Sequence, residues 1–375
     1  MAKRRSDLRE VAALFLKLGC IGFGGPAVHI AMMEEEVVRK RKWMTHQHFL
    51  DLIGATNLIP GPNSTEMALH IGRERAGWKG LMVAGLCFIV PAVIITAIFA
   101  WAYKTYGHLP AVAPFLYGVK PAIISVIIAL MISLGRKALK NTELGTIGIG
   151  CAIASIAGVN EIFVLFGAGA LGMLYYSLKK KSQNLNSVPP FLLLAQPGGW
   201  FTLPNLKIFW IFLKVGSILY GSGYVLFAFL DSALVHKGLI TTNELTDAIA
   251  VGQFTPGPVF SSATFIGWQM GNFPGAVAAT IGIFLPSFLF VSLLNPLIAL
   301  LRRSALMSVF LDTVNMASVA IILAVCVEMG KDSISDWRTI LIAVTSLIVT
   351  LAFKKMNTAF VIIGGAGMGY LLSLI

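Results

Sequence analysis

Long apolar runs dominate the chain, and short polar clusters separate them. Windows such as residues 81–101, and 122–134 with their flanks, reach the roughly 18 residues a helix needs to cross a bilayer. They recur along the whole length and predict an all-α, polytopic integral membrane protein. Two of these stretches are interrupted in the same way. Asn57-Leu-Ile-Pro-Gly-Pro62 and Gln253-Phe-Thr-Pro-Gly-Pro258 stand 196 residues apart. Proline inside a helix removes a backbone donor and clashes with the preceding turn. In hydrocarbon an unsatisfied backbone group is expensive, so a double break at membrane depth needs a reason. Two such breaks in corresponding halves point to a transporter whose substrate site lies at a repeat interface.

The halves are related over their full length. Phe15-Leu-Lys-Leu-Gly19 recurs as Phe212-Leu-Lys-Val-Gly216, and Gly22-Phe-Gly-Gly25 has a looser counterpart in Tyr220-Gly-Ser-Gly223. Phe49-Leu-Asp51 parallels Leu245-Thr-Asp247, and Pro91 matches Pro286. Conserved order along the chain is the mark of a duplication. The first repeat is assigned to residues 1–181 and the second to 206–375. Residues 182–205 form a linker, with a candidate for an extra crossing around 188–200.

Charge decides how the repeats are oriented. In the first, basic residues crowd the loops at 39–42, 73–79, 136–140 and 179–181. The matching positions of the second are nearly bare, and its pairs Arg302/Arg303 and Lys354/Lys355 sit in the alternate loops. The bias has swapped sides, so the positive-inside rule predicts inverted topology, N-terminus cytoplasmic and C-terminus external. Residues 39–42 and the N-terminus then share a side, although one apolar segment separates them. That segment is expected to be broken or re-entrant, with the break at Gly22-Phe-Gly-Gly25.

Composition removes other classes. Of 375 residues, 57% are apolar and 12% charged, about half the charged fraction of a soluble protein. The formal charge of +12 lies in short loops, so it reads as topology and not as a nucleic-acid surface. Four scattered cysteines form neither a paired spacing nor a metal motif. Gly167-Ala-Gly-Ala-Leu-Gly172 fits a dinucleotide fingerprint but lies in an apolar segment, outside any strand–turn–helix unit. No hydrolase or nucleotide-binding motif is present, so neither an enzyme nor a cofactor is indicated. The basic start resembles a signal n-region, but a long segment with Lys17 and no cleavage site follows, so it is expected to be retained.

The breaks carry the candidate chemistry. Pro60 and Pro62 free two carbonyls, Gly61 permits close backbone approach, and Pro62 suits the start of a new helix. Asn63, Ser64 and Thr65 follow it. In the second repeat Pro256, Gly257 and Pro258 are followed by Ser261 and Ser262. A helix N-terminus is a ready anion site. Two inverted repeats would aim two such ends at one place, with the amides of Asn57 and Gln253 added at equivalent positions. The site suits a small oxyanion; a structural kink is the competing account. Lys17 and Lys214 occupy equivalent apolar surroundings and read either as ligands or gates, or as residues snorkelling to the interface. Glycines 24, 25 and 221 (Gly24, Gly25, Gly221) either open a backbone path or allow close packing. Glu66 and His70 follow the first break at helical spacing. They read either as a proton-coupling pair or as a helix-start acid and a boundary histidine.

These residues together resemble the chromate ion transporter family in its long-chain form. The resemblance rests on Phe15 to His29, on Lys42-Trp43-Met-Thr45, on both Pro-Gly-Pro motifs, and on Phe265-Ile-Gly267 and Leu285-Pro286. It covers nearly the whole chain. It implies chromate export from the cytoplasm across the plasma (inner) membrane by antiparallel homologous halves. Sulfate or another small anion is the alternative cargo, and a homodimer is compatible with this reading. Two departures stand out: Tyr220-Gly-Ser222 replaces a usual Phe-Gly-Gly, and Leu239/Ile240 stand where relatives often carry Trp.

Overall fold

The computed structural model describes residues 2–23, 25–107, 109–179, 204–220, 223, 225–293, 304–353 and 356–374. Fourteen α-helices and no strand occur among them. The first repeat contains α1 (Ala2–Ile21), α2 (Pro26–Glu34) running into a π-turn (Glu35–Lys40), and α3 (His46–Thr56). It continues with α4 (Asn63–Tyr106), α5 (Ala113–Ala138), α6 (Thr142–Ile156) and α7 (Glu161–Lys179). The second repeats that order: α8 (Pro204–Ile218), α9 (Val225–Leu230) with a π-turn (Asp231–Val235), and α10 (Thr242–Phe254). Then come α11 (Ser262–Leu293), α12 (Ala305–Ser333), α13 (Trp337–Ala352) and α14 (Thr358–Ser373). The possible crossing around 188–200 lies outside the described residues, as do Arg302, Arg303, Lys354 and Lys355.

Helix starts follow local side-chain chemistry. Thr45 and Asn141 accept backbone N–H bonds from the first turns of α3 and α6. Thr241 with Glu244, and Asp336 with Thr339, close full capping boxes on α10 and α13.

The duplication extends to the irregularities. In α4 the chain leaves helical geometry at Ala76 (φ −140°, ψ 20°) and Gly77 (φ 65°, ψ −151°). In α11 it does so at Gly271 (φ −145°, ψ 22°) and Asn272 (φ 52°, ψ −148°). These are reversals. The hydroxyls of Thr264 and Thr280 lie 2.8 Å apart, whereas 16 residues of straight helix would separate them by about 24 Å. Gly72 faces Gly80, and Gly267 faces Gly275, so closely that a Cβ on Gly80 or Gly275 would fall 2.0 or 2.2 Å from the opposing carbonyl. Each helix is thus a hairpin: a short arm (63–75, 262–270) and a long arm (78–106, 273–293).

Side-chain caps show that the hairpins run antiparallel. Arg73, at the turn of α4, donates to the carbonyls of Val291 (2.8 Å) and Ser292 (3.0 Å) at the far end of α11. Lys104, near the far end of α4, donates to Asn272 Oδ1 (2.8 Å) and the Gln269 carbonyl (3.3 Å) at the turn of α11. The repeats are inverted relative to each other.

They also interlock. Helix α5 packs on α13 and α14, and α12 packs on α6 and α7. Small residues set these contacts: Gly118 against Gly365 and Gly369, and Gly148, Gly169 and Gly172 against Met316, Phe310 and Thr313. Two members of the dismissed dinucleotide motif, Gly169 and Gly172, are therefore packing glycines.

Among the described residues, five helices are long and apolar enough to cross a bilayer. Large apolar side chains such as Ile98, Ile153, Phe163 and Ile348 stay exposed on the outer surface, as lipid contact requires. The chain is a multi-pass membrane protein.

Candidate functional site

Each break is tied to the opposite repeat. Gly61 N–H donates to the Leu219 carbonyl (2.8 Å), and Gly257 N–H donates to the Gly22 carbonyl (2.8 Å). Leu219 and Gly22 are equivalent residues just past the ends of α8 and α1. Both glycines hold positive φ, 140° at Gly61 and 90° at Gly257, where a side chain would be strained. The crowding is also paired. A Cβ on Gly61 would meet Ser287 Oγ at 2.7 Å, and one on Gly257 would meet the Ala92 Cβ at 2.8 Å. Ser287 and Ala92 each follow the matched prolines Pro286 and Pro91.

The elements leading into this centre are re-entrant. Arg75 bridges Asp7 (2.8 Å) and Glu10 (2.9 Å) of α1 and stacks over Trp43, beyond α2. His48 of α3 pairs with Glu74 at the end of the α4 short arm (3.7 Å). So α1 with α2, and α3 with that arm, each enter and leave at one charged end. The expected break between α1 and α2 is present: Ile21 ends one helix, and Gly25 (φ 81°) leads into Pro26 of the next.

Most predicted residues gather here. Pro60, Gly61, Pro62, Ser64 and Thr65 are buried, as are Pro256, Gly257, Pro258, Ser261 and Ser262. Pro62 is the cap of α4 and not its first residue; its carbonyl accepts from Thr65 (2.8 Å) and Glu66 (3.0 Å). Ser261 Oγ accepts from Thr96 (3.1 Å). Thr65 Oγ1, Glu66 Oε2, His70 Nε2, Gln253 Nε2 and Ser262 Oγ are all buried without a hydrogen-bond partner among the described residues.

Other residues depart from expectation. Asn57 is exposed and accepts from half-buried Asn63 (2.9 Å), whereas its counterpart Gln253 is buried. Lys17 and Lys214 do not join the centre. Leu14, Phe15 and Leu18 face inward on α1, and Phe212 and Val215 do so on α8, which turns both lysines to the exposed side. Lys17 instead pairs with Glu36 (2.9 Å), beside Lys40 and Arg41. The Lys17 hydrogen bond, supported by Lys40 and Arg41, holds the Glu36 carboxyl down at about 2. Gly24 and Gly221 lie outside the described residues.

Sequence reasoning passed over Ser287, Thr96 and His29. His29 is buried and donates through Nε2 to the Gly22 carbonyl (2.8 Å), the same carbonyl that Gly257 uses. It stood within the quoted motif, but nothing local singled it out. Asp231, His236 and Glu328 bring three ligand atoms within 4.8 Å of one another at another place, with His236 Nε2 3.5 and 3.6 Å from the two carboxylates. A cavity of about 560 Å³ lies between α1 and α2 beside Lys17, Val28 and Met32 and is lined by no residue of either break.

Comparison with known proteins agrees with this architecture. The family model described as chromate transporter matches twice, over residues 9–173 and 206–370. A probable chromate transport protein of Synechococcus elongatus is 29% identical, covering 97% of this chain and 95% of that protein. The chromate transport protein of Cupriavidus metallidurans is 27% identical over 96% of this chain and 92% of its own length. That of Pseudomonas aeruginosa is 27% identical over 97% and 92%. No solved structure matches the chain. Two matched repeats, built as inverted halves around paired Pro-Gly-Pro breaks, make this chain a member of the chromate transporter family.

Proposed function

We propose that the chain exports chromate, or a related tetrahedral dianion, from the cytoplasm, driven by the membrane potential. One observation carries this reading: each broken helix is bonded to the opposite repeat, with buried polar atoms beside it that the described residues leave unsatisfied. Each such group costs about 1–3 kcal/mol, so several together fit a bound ligand. The hydroxyls of Thr65 and Ser262 and the amide of Gln253 are donors, and the short helices add partial positive charge at their N-termini. These suit an oxyanion with several acceptors. The names of the relatives support chromate as the cargo. The chain acts as a carrier and not as an enzyme.

The charged end, with residues 39–42 and 73–79, faces the cytoplasm of the plasma (inner) membrane, and the C-terminus is external. Both breaks are buried here, so loading and release require the elements to part toward each end in turn. Moving two negative charges out of an inside-negative cell gains about 4.6 kcal/mol per 100 mV. That sustains roughly three decades of concentration ratio, so no pump domain is needed.

The test is chromate uptake into everted membrane vesicles under an interior-positive potential, with and without sulfate. Potential-driven uptake that falls in Gln253→Ala and Thr65→Ala is expected. Competition by sulfate would identify a general dianion site. Absence of uptake, with the protein present in the membrane, overturns chromate as cargo.

A further inference from the structure

The centre contains one group that an oxyanion site should exclude. Glu66 is fully buried, four residues after Pro62. One carboxyl oxygen lies so near Gly61 that a Cβ there would come within 2.4 Å of it, and Ser287 Oγ donates to the same oxygen at 3.5 Å. The other oxygen has no partner among the described residues. The equivalent position of the second repeat is Ser262, so the fold of the break does not itself demand an acid.

Among the described residues no cation pairs with Glu66. Tyr220 faces it from just past the end of α8, and Ser287 faces it from α11. His70 shares its helix, and Arg73, one turn further on, is held by the carbonyls of Val291 and Ser292. Like charges at close range in a water-poor interior repel strongly. A carboxylate and a fully ionised oxyanion cannot share this centre unless a proton lies between them.

We propose that Glu66 is a cargo ligand, and that each oxyanion binds with one proton held between its own oxygen and the Glu66 carboxyl. This rests on reading the breaks as the cargo site. The proton has two sources. Sulfate carries none near neutral pH, so Glu66 supplies it, as a neutral acid donating to the anion. Hydrogen chromate brings its own, and ionised Glu66 accepts it. In both cases the occupied site holds one proton and one anion. Protonation and anion binding are therefore linked, each strengthening the other.

Calorimetry on the purified protein in detergent tests this, with sulfate and chromate as probes and two buffers of different ionisation enthalpy. At the alkaline end, where unoccupied Glu66 is ionised, wild type should take up about one proton per sulfate bound and lose affinity about tenfold per pH unit; where Glu66 is already neutral, neither is expected. Glu66→Gln keeps the shape and always offers a donor. It should bind sulfate with a flat pH profile and no proton uptake. Proton-free, pH-independent binding by wild type up to the alkaline limit of stability overturns the proposal alone, as does an unchanged slope in Glu66→Gln. Failure of wild type to bind either anion at any pH overturns the site reading and this proposal together. The wild-type proton count decides the matter even where the variant fails to fold.

Discussion

The amide of Gly61 donates to the carbonyl of Leu219, at 2.8 Å, across the boundary between the repeats. Its mirror is the bond from Gly257 to Gly22. Each repeat therefore closes the broken end of the other's first helix, and the two breaks are held by one reciprocal arrangement.

Adding a methyl group at either glycine should disturb that arrangement. Gly61→Ala would place a Cβ against Glu66 and Ser287 at positive φ; Gly257→Ala would strike Ala92. Each is expected to lose about 1–3 kcal/mol of stability and most of the vesicle uptake. Gly364→Ala is the control: its Cβ meets nothing within 4 Å, so stability should hold or rise. Thermal unfolding beside vesicle uptake checks all three.

Arg73 ties the turn of α4 to the end of α11 through two charge-assisted bonds. Arg73→Ala should cost about 1.5–3 kcal/mol, the usual range for hydrogen bonds to a charged group. Lys104→Ala removes the mirror contact at an exposed position and should cost less. Equal losses would show that the two caps are equivalent despite their different exposure.

The reversals at Ala76–Gly77 and Gly271–Asn272 lie at opposite ends of the molecule. Trp78 and Phe273 are exposed beside them. In a background free of the four native cysteines, a cysteine at 78 should react with an impermeant thiol reagent only from the cytoplasmic side. A cysteine at 273 should react only from outside. Labelling of both from one side would overturn the proposed orientation.

Lys17→Gln should leave transport nearly intact, because Lys17 faces away from the breaks. Its pairing with Glu36 bears on acid stability instead. Glu36 is held at about 2, below its ordinary 4.5, so it binds fewer protons in the folded state. Its contribution is complete above about 4.5 and is lost as pH falls through about 2. Lys17→Gln should bring that loss to higher pH, which acid-unfolding curves of the two proteins would reveal. A collapse of transport in Lys17→Gln would contradict the placement.

What could be read from the chain was local or periodic. Pro60-Gly-Pro62 and Pro256-Gly-Pro258 announce breaks because proline acts on its own turn, and the swapped loop charge announces inversion. The contacts that complete the centre are not local. Leu219 contributes a backbone carbonyl, which no side-chain pattern reveals, and Ser287 differs from Ala92 by one hydroxyl beside a matched proline. The lysines stayed open between two readings because Phe-Leu-Lys looks apolar in one dimension, while a helix of 3.6 residues per turn sends the third residue outward. Asn57 and Gln253 look equivalent, yet one is exposed and one buried. The reversal of α4 was hidden in a charged run where Gly77 resembles any loop glycine.

The exchange of helices between α5 and α12 bears on how the protein is made. While the ribosome is still extending the second half, α5 has emerged but its sockets on α13 and α14 do not yet exist. Helices α6 and α7 likewise wait for α12 to fill the groove between them. The first half must therefore persist in the membrane incomplete until the last helices arrive, and a chain truncated before α13 should be a substrate for membrane proteolysis and not a smaller working carrier.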